Sequence, residues 1–408
     1  MEHDADILIV GGGLNGPALA LALAQGGQRV TVVDARPAPA RAAPGFDGRA
    51  YALAIASMRL LSVIGVWPAI AEKVQPILQI KASDGRAGEG AAPFFLTFDH
   101  AEIEEGPMGF MAEDRHLYAA FLAAMAADPR ITLLSGKTVT TQEVGPAGVS
   151  VTLSSGETLR ARLLIGCDGR ASGTARRAAI KRSGHDYGQT ALVTAIEHEM
   201  PHHGIAHQFF MPSGPLAILP LPGNRCSIVW SETAANASAI QALNDEDYLT
   251  ALRPRFGDFL GKISLAGSRF TYPLSLTLAD HFVAPRLALV GDAAHGVHPI
   301  AGQGLNLGLR DVGALAQVVI EAARRGEDIG AADVLERYQR WRRFDTTVLG
   351  LGMDAVNTLF SNDNPLLRLG RDLGLGAVNA LPGVRRGFIR QAAGLQGDLP
   401  RLSRGQPI

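Results

Sequence analysis

The chain has 408 residues, of which 47% are hydrophobic and 19% charged, and its formal net charge at pH 7 is −1. This length can hold two or three domains' worth of core. A charge so close to zero gives no strong attraction to nucleic acid or to anionic lipid. Residues 1–4 are acidic and lack the pattern of a signal peptide, and no uninterrupted apolar run reaches the roughly 18–20 residues that cross a bilayer. We therefore expect a cytoplasmic location, with peripheral contact to the inner membrane left open.

The first predicted feature is a nucleotide-binding loop. A continuous apolar strand over residues 6–10 leads directly into Gly11, Gly13 and Gly16, which match the pattern G-x-G-x-x-G. In such a loop the first glycine permits a tight turn, and the second lets a pyrophosphate approach the backbone. The third glycine lets the following helix pack on the strand.

The residues after this loop complete a strand–helix–strand unit. A helix is predicted over residues 17–25 and a strand over residues 29–33, and Asp34 follows the strand. A carboxylate at that place binds ribose hydroxyls and disfavours a 2′-phosphate. The unit predicts a bound dinucleotide. The motif alone does not choose between FAD and NAD, but its N-terminal position and a distant Gly-Asp motif favour FAD.

The middle of the chain alternates between two patterns. Residues 76–100 are irregular and include a short aromatic strand over 93–98, which we expect to leave the cofactor domain. Residues 101–182 return to that domain. Residues 183–280 are typical of an antiparallel sheet, in which only 245–256 are predicted to be helical.

Two further apolar strands end in acidic turns. The strand over 163–166 leads to Asp168-Gly169, which by itself is only a common turn. The strand over 287–290 leads to Gly291-Asp292, a loop with Pro299 and a Gly-Gln-Gly-Leu-Asn helix start. There the carboxylate can accept hydrogen bonds from ribityl-like hydroxyls, small residues let backbone N–H groups approach a flat ring, and the helix N-terminus favours negative charge. This order of features indicates a flavin.

The three segments, in this order, resemble the class A flavoprotein aromatic hydroxylases. The resemblance implies FAD as cofactor, Arg49 close to the flavin, Arg115 near the FAD phosphates, and Asp168 near the pyrophosphate in a segment linked to NAD(P)H use. Because no second G-x-G-x-x-G offers a stable nicotinamide site, NAD(P)H is expected as a transient co-substrate. The expected cofactor-binding residues are Gly11, Gly13, Gly16, Asp34, Arg49, Arg115, Asp168, Gly291, Asp292, Pro299, Gly302, Gly304, Leu305 and Asn306.

The carboxyl end narrows the resemblance. Residues 360–394, together with the run over 214–222, resemble the hydroxylases of ubiquinone biosynthesis. The tail is amphipathic and basic, with five arginines: Arg368, Arg371, Arg385, Arg386 and Arg390. Two interpretations stay open, a helical cap on the cofactor domain or a contact surface for membrane or for other ubiquinone-biosynthesis proteins.

The expected fold is α/β. It has a Rossmann-like FAD-binding domain of the glutathione-reductase and p-hydroxybenzoate-hydroxylase type, interleaved with a mostly antiparallel β-sheet substrate domain, and a helical C-terminus. The expected boundaries are residues 1–75, 101–182 and 281–345 for the discontinuous FAD-binding domain, 76–100 and 183–280 for the substrate domain, and 346–408 for the C-terminal helical tail.

The resemblance implies hydroxylation of the aromatic ring of a polyprenyl phenol in ubiquinone biosynthesis. NAD(P)H would reduce the flavin, and O₂ would add to give a flavin hydroperoxide that transfers one oxygen atom to the ring. Because the flavin carries this chemistry, no protein nucleophile is expected. His298 and Pro299 are expected to line the active site. The histidines and cysteines lack a zinc-type spacing, so no metal is expected, nor is a nucleic acid partner.

The substrate is expected between the flavin and the sheet of residues 183–280. About half of the apolar side chains in strands 94–98, 209–211 and 216–221 should line that cavity, unless all of them are ordinary core. Alternatives within the fold are a catabolic aromatic hydroxylase and a prenyl reductase. A non-catalytic prenyl-binding protein on a flavoprotein scaffold is an alternative of another class, and the intact loop from Asp292 to Asn306 argues against it.

Overall fold

The computed structural model describes residues 3–41, 43, 45–88, 90–91, 95–361 and 379–408. The helices within these ranges are α1 (Asn15–Gln25), α2 (Ala38–Arg41), α3 (Ile55–Val63), α4 (Asp114–Ala127), α5 (Gly173–Arg177), α6 (Ala234–Gln241), α7 (Asp245–Phe256), α8 (Gln303–Arg324), α9 (Ala332–Phe360) and α10 (Pro382–Ala392).

The strands of the described ranges form four sheets. They are β1 (Ile7–Val10), β2 (Val30–Asp34), β3 (Ala50–Leu53), β4 (Gln75–Ile77), β5 (Gln79–Arg86), β6 (Gly90–Ala91), β7 (Leu96–Asp99), β8 (Gly109–Glu113), β9 (Ile131–Ser135), β10 (Val139–Val144), β11 (Val149–Leu153), β12 (Thr158–Ala161), β13 (Leu163–Gly166), β14 (Arg182–His198), β15 (Ile205–Met211), β16 (Gly214–Leu221), β17 (Arg225–Thr233), β18 (Ile263–Leu265), β19 (Phe270–Ala279), β20 (Val283–Ala284), β21 (Leu287–Leu289) and β22 (His295–Gly296).

A mostly parallel sheet forms the centre of the first half of the molecule. Its strand order is β20-β21-β13-β1-β2-β9, and only the β20–β21 pair is antiparallel. Every residue of β1, β2 and β13 is buried, as expected for parallel strands that are covered on both faces. Helices α1 and α8 pack against each other and contribute to the same hydrophobic cluster as these strands.

A second, larger sheet supplies the other half. Its order is β22-β19-β14-β17-β16-β15-β5-β6, with β18 paired to β14 and β7 paired to β5. Its pairs are antiparallel except β15–β5. Helices α6 and α7 cover one face, where Trp230, Tyr248 and Leu252 are fully buried in one cluster. The sheet therefore has one face packed by its own helices and one face turned to the rest of the molecule.

Two small antiparallel sheets complete the strands. One is β10-β11-β12, and the other has the order β3-β8-β4. The β3-β8-β4 sheet packs against the large sheet, since Ile77 and Met111 share a cluster with Ala195 and Leu221. It thus connects the two halves of the fold.

The long helices near the C-terminus hold both halves together. Helix α8 is buried along most of its 22 residues, and the 29-residue α9 packs against it. Helix α10 inserts Ile389 into the cluster that contains Ile55 and Met111. None of the helices within the described ranges is both long and apolar enough to span a membrane.

The structure corrects one expectation about these elements. Residues 183–280 contain a second helix, α6, besides the one predicted over 245–256. Its first turn is capped by the Thr233 side chain, which accepts from the Asn236 N–H, and this short helix shows almost no amphipathic pattern from which it could be identified.

Other expectations are not tested. Helix α9 runs unbroken through the expected boundary between residues 345 and 346, and the division into domains stays a prediction. The first residues of the predicted strand over 93–98 and the tail segment 362–378, with Arg368 and Arg371, lie outside the described residues.

Candidate functional site

The predicted motifs meet at one edge of the parallel sheet. Strands β21, β13, β1 and β2 are consecutive parallel neighbours, so their carboxyl ends lie side by side. The residues at those ends are Gly291, Cys167, Gly11 and Asp34. This edge is where open α/β sheets bind their ligands.

The three glycines of the first loop have different surroundings. Gly11 has φ +110°, and a Cβ there would lie 2.3 Å from the carbonyl oxygen of Cys167. A Cβ at Gly16 would lie 1.9 Å from the Gly11 carbonyl oxygen, whereas a Cβ at Gly13 would have no atom within 4 Å. Packing of the protein itself therefore requires the first and third glycines. The second faces open space at the sheet edge.

Asp34 lies directly beside this loop. Its side chain is buried, and its Oδ1 accepts a hydrogen bond from the Arg36 N–H at 3.2 Å. A Cβ at Gly12 would lie 2.6 Å from the other carboxylate oxygen of Asp34. The glycine at position 12, outside the three motif positions, is therefore what lets the carboxylate approach the loop.

Asp168 organises the turn after β13. Its carboxylate oxygens accept hydrogen bonds from the Ser172 hydroxyl at 2.6 Å and from the backbone N–H and hydroxyl of Thr174, both at 2.9 Å. These bonds fix the start of α5. The side chain holds the shape of the loop, and any role toward the cofactor stays a prediction.

Two arginines that the sequence analysis did not identify connect this turn to the flavin loop, residues 291–302. Arg170 lies 3.4 Å from Asp292 Oδ2 and donates to the Val297 carbonyl oxygen at 3.1 Å. Arg182 donates to the Asp292 carbonyl oxygen at 2.8 Å and to the Arg170 carbonyl oxygen. The contacts of Arg170 span more than a hundred residues of sequence, so no local pattern could have found them.

The Asp292 carboxylate is available for a ligand. It is 40% exposed, and Arg170 Nε lies 3.4 Å from its Oδ2. The preceding Gly291 has φ +61°, and a Cβ there would lie 2.3 Å from Asn15 Nδ2. Asn15 Oδ1 is buried and has no hydrogen-bond partner among the described residues. An unpaired buried acceptor costs about 1–3 kcal/mol, so this atom suits a site that a bound group completes.

A buried charge network fixes the flavin loop from behind. Asp311 of α8 accepts hydrogen bonds from the Gly291 N–H at 3.0 Å and from Arg342 Nε of α9 at 2.8 Å, and it contacts His295 Nε2. Asp345 bonds the same guanidinium at 2.8 Å. Burial acts to raise the pKa of Asp311, but the adjacent His295 and Arg342 outweigh it and lower the pKa. In the sequence, Asp311 and Arg342 stand out as charged residues on helix faces that are otherwise buried. That they pair with each other could be seen only in the tertiary structure.

The start of α8 forms the other wall of the loop. Gly302, the N-cap, has φ +63°, and a Cβ at Gly304 would have no atom within 4 Å. The Asn306 side chain accepts from the Ala54 N–H and the Ser57 hydroxyl and donates to the carbonyl oxygens of Ala52 and Gly302. Asn306 therefore holds the helix start in place, while Leu305 packs partly buried against the main core.

Arg49 and Arg115 lie at the same end of the β3-β8-β4 sheet. Arg49 pairs with Asp47 at 2.8 Å and with Asp114 at 3.3 Å, and Arg115 donates to Glu113 at 2.7 Å. Both guanidinium groups thus have carboxylate partners within the protein. Their predicted contacts with FAD are not tested by this geometry.

His298 and Pro299, which were predicted to line the active site, lie in the flavin loop. Their role there stays a prediction. His298 is buried, and its Nδ1 accepts from the Ile300 N–H at 3.3 Å, so the neutral ring carries its proton on Nε2. Burial, and secondly Arg170, lowers the pKa of His298 to about 4. Nε2 has no partner within the described ranges, which leaves a donor unused beside the loop.

The large sheet presents different side chains on its two faces. Leu192, Ile228 and Trp230 are fully buried under α6 and α7. Val193 and Val229, one residue further along their strands, point to the opposite face and are only partly buried. This part of the face is therefore only partly covered by the protein.

The partly exposed side chains form an uncharged row across five strands. In cross-strand register the row runs through Phe270, Val193, Val229, Ala217 and Gln208. At one end the Arg49 guanidinium lies 5.8 Å from the Phe270 ring centroid. Beyond the other end, Phe210 and Phe360 of α9 pack with ring centroids 4.2 Å apart. We call this surface the sheet row.

These features suit a bound flavin. Two glycines leave open space at the sheet edge, a half-exposed carboxylate and two unpaired buried polar atoms lie nearby, and the N-terminus of the 22-residue α8 faces the same loop. A helix N-terminus and backbone N–H groups favour negative charge.

Comparison with known proteins agrees with this geometry. A family profile described as the FAD binding domain matches residues 4–345. The chain is 46% identical over 407 residues to the ubiquinone hydroxylase UbiL of Rhodospirillum rubrum, covering 99% of this chain and 94% of that protein. It is 37% identical to the 3-demethoxyubiquinol 3-hydroxylase of Escherichia coli, covering 97% and 100%. The p-nitrophenol 4-monooxygenase PnpA of Pseudomonas putida matches with a TM-score of 0.81 and 20% identity, covering 97% of this chain and 99% of that one.

Fold and site together define an FAD-dependent monooxygenase with the fold of the flavoprotein aromatic hydroxylases. Within that class, the chain belongs to the family of the ubiquinone-biosynthesis hydroxylases. The predicted fold class, cofactor and enzyme class are confirmed.

The buried network gives a stability prediction. Asp311→Asn should lower the free energy of unfolding by about 3–5 kcal/mol, because it leaves the Arg342 charge buried without its main partner. Since folding lowers the pKa of Asp311, its stabilisation is present above the unfolded pKa of about 4 and is lost as the pH falls through the folded value. The difference between wild type and variant, measured by chemical denaturation, should therefore shrink only below about pH 4.

Asp333→Asn on the surface of α9 is the matched control, since Asp333 is 80% exposed and its ion pair with Arg337 is long, at 3.8 Å. Its unfolding curve should match the wild type. Equal stability of Asp311→Asn and wild type at neutral pH would contradict the role assigned to the network.

The glycine surroundings give a second prediction. Gly13→Val and Gly304→Val should fold but lose most of their FAD, because the added side chains enter open space at the proposed cofactor site. Gly387→Val in α10, which also adds atoms to open space, should keep full flavin. Flavin absorbance per polypeptide and circular dichroism would be measured on all three. Full flavin in both site variants would refute the cofactor assignment.

Proposed function

We propose that this protein hydroxylates the aromatic ring of a polyprenyl phenol intermediate in ubiquinone biosynthesis, with NAD(P)H as transient reductant and O₂ as oxygen source. Relatives that match nearly the whole chain carry the names ubiquinone hydroxylase and 3-demethoxyubiquinol 3-hydroxylase. The observation that carries the proposal is the sheet row, an uncharged and partly exposed surface on the face of the large sheet opposite α6 and α7.

The cofactor contacts are proposed from the geometry of the sheet edge. Gly13 admits the diphosphate, Asp34 accepts from ribose hydroxyls, Asp292 accepts from ribityl hydroxyls, and Gly304 lets the isoalloxazine approach the start of α8. Bound FAD supplies activation of O₂ for transfer of one oxygen atom to an electron-rich ring. Gly11, Gly16, Gly291 and Asn306 act indirectly, because they shape the loops that hold these groups.

The substrate is proposed to lie between the flavin loop and the sheet row. Leu349 and Met353 of α9 pack with Val297 of the flavin loop, so we expect this helix to cover one side of the proposed substrate site. A cavity lined by apolar side chains and few polar ones suits an aromatic ring with a prenyl chain and excludes water from it. The unused Nε2–H of His298 is the polar group that we assign to orienting a bound oxygen atom there.

Side chains alternate between the two faces of the sheet, which supports the prediction that about half of the apolar side chains in these strands line the cavity. Phe209, Leu216 and Ile218 pack under α6 and α7. Their neighbours Phe210 and Ala217 point to the opposite face. A polyprenyl substrate resides in lipid, so the proposal also includes peripheral contact with the inner membrane.

A third prediction separates the acidic residues by role. Asp292→Ala and Asp34→Ala should weaken FAD binding by about 1–3 kcal/mol each, as expected for the loss of one charged hydrogen bond. Asp168→Ala should instead lower stability, because its three hydrogen bonds are internal. FAD titration followed by flavin fluorescence, with thermal unfolding of the apoproteins, distinguishes the two effects. Unchanged FAD affinity in both Asp292→Ala and Asp34→Ala would show that these assignments are wrong.

A fourth prediction tests the substrate. Prenylated phenols should stimulate NADPH oxidation coupled to ring hydroxylation, and a small hydroxybenzoate should not. Ala217→Phe fills the centre of the sheet row and should abolish coupling with the prenylated phenol, whereas Thr140→Phe on an exposed strand should not. Product analysis by mass spectrometry would measure the coupling. Tight coupling with hydroxybenzoate alone would replace the proposal with a catabolic hydroxylase.

A further inference from the structure

Helix α9 has an outer face that carries exposed large apolar side chains. Its inner face packs on the flavin loop and the large sheet through Leu349, Met353 and Phe360. Its outer face carries four large apolar side chains, spaced by four, three and eight residues: Phe344, Val348, Leu351 and Leu359, exposed by 77%, 55%, 57% and 44%. This spacing puts them on one side of the helix.

No charge interrupts that outer face. The charged residues between positions 344 and 359 are Asp345 and Asp354. Asp345 is held by Arg342 and Arg310 at 2.8 and 2.9 Å, and Asp354 by His185 at 3.1 Å. A solvated helix face would normally mix charged side chains among its apolar ones, so this composition indicates a contact surface.

Helix α10 and the residue before it carry a second group of exposed apolar side chains. Leu381, Val384 and Phe388, spaced by three and four residues, are exposed by 55%, 46% and 52%. Both helices lie against β7, where Phe360 packs near Leu96 and the Asn379 side chain accepts from the Thr97 N–H. Seven of the twelve exposed large apolar side chains of the described residues belong to these two segments.

Two exposed arginines without a carboxylate partner among the described residues lie beside these apolar side chains. Arg343 precedes Phe344 and Arg386 lies within α10; both are exposed, and neither has an ion-pair partner in the part of the chain that the structure describes. The near-zero net charge of the chain hides this local arrangement. Apolar side chains with arginines at their border complement an interface of acyl chains and anionic headgroups.

We propose that the outer faces of α9 and α10 dock the enzyme on the surface of a phospholipid bilayer that contains anionic lipid. This inference rests on the proposed polyprenyl substrate, because the inner face of α9 roofs the cavity that the prenyl chain must reach from the lipid. The chain would lie on the membrane without crossing it, consistent with the absence of a spanning helix in the described ranges.

The test is cosedimentation of the FAD-loaded enzyme with vesicles. Wild-type protein should bind vesicles of phosphatidylcholine mixed with phosphatidylglycerol, and bind pure phosphatidylcholine less well. Phe344→Glu combined with Leu351→Glu should lower partitioning to the mixed vesicles about tenfold or more. Met200→Glu, which also replaces a half-exposed apolar side chain, should bind like wild type.

Further measurements separate this inference from its alternatives. The double variant should hydroxylate a soluble short-chain prenyl phenol at the wild-type rate but slow on a long-chain substrate in vesicles. The membrane proposal would be overturned if the wild-type protein did not cosediment with vesicles. It would also be overturned if the wild type were a dimer that the double substitution dissociates. Failure of wild type to act on prenyl phenols in detergent would instead refute the proposed function, whatever the vesicle result.

Discussion

The buried carboxylate of Asp311 joins the flavin loop, α8 and α9. It accepts a hydrogen bond from the Gly291 N–H at the start of the flavin loop, contacts His295 within that loop, and pairs with Arg342 of α9. A buried charge is tolerated only when it is paired and hydrogen-bonded, so these segments must keep their relative positions. The flavin loop, α8 and α9 are therefore positioned by one interaction.

This constraint explains why α9 can carry two unlike faces. Its anchor, Arg342, lies two residues before Phe344, where the exposed apolar side chains begin, and Asp345 and Thr346 complete the bonding of the same guanidinium. Once the helix is held there, its inner side can contact the cofactor loop without being buried on all sides. The outer side is not needed for this attachment. It carries large exposed apolar side chains where an ordinary solvated helix face would carry charged ones.

The sequence predicted the parts of the site that are local. Each loop at the sheet edge follows a short buried strand, so Gly11, Asp34, Asp168 and Gly291 could be placed from their own neighbours. Contacts between loops could not be predicted, because the partners of Arg170 and the neighbours of Asn15 come from distant segments. Nor could the sequence indicate that the Asn306 amide and the Asp168 carboxylate bond the protein itself, since a motif names a residue without showing where its side chain points.

The incompletely packed sheet face links stability to function. Along a strand, alternate side chains face opposite sides, so covering one face with α6 and α7 leaves the other dependent on what lies against it. At Ala195 and Leu221 the β3-β8-β4 sheet fills that space, and at Phe210 helix α9 fills it. Between them lie Val193, Val229 and Ala217, which stay partly exposed. The position of the proposed substrate site follows from the two elements that flank it, because its apolar lining would be the partly exposed remainder of a sheet face that is core on either side.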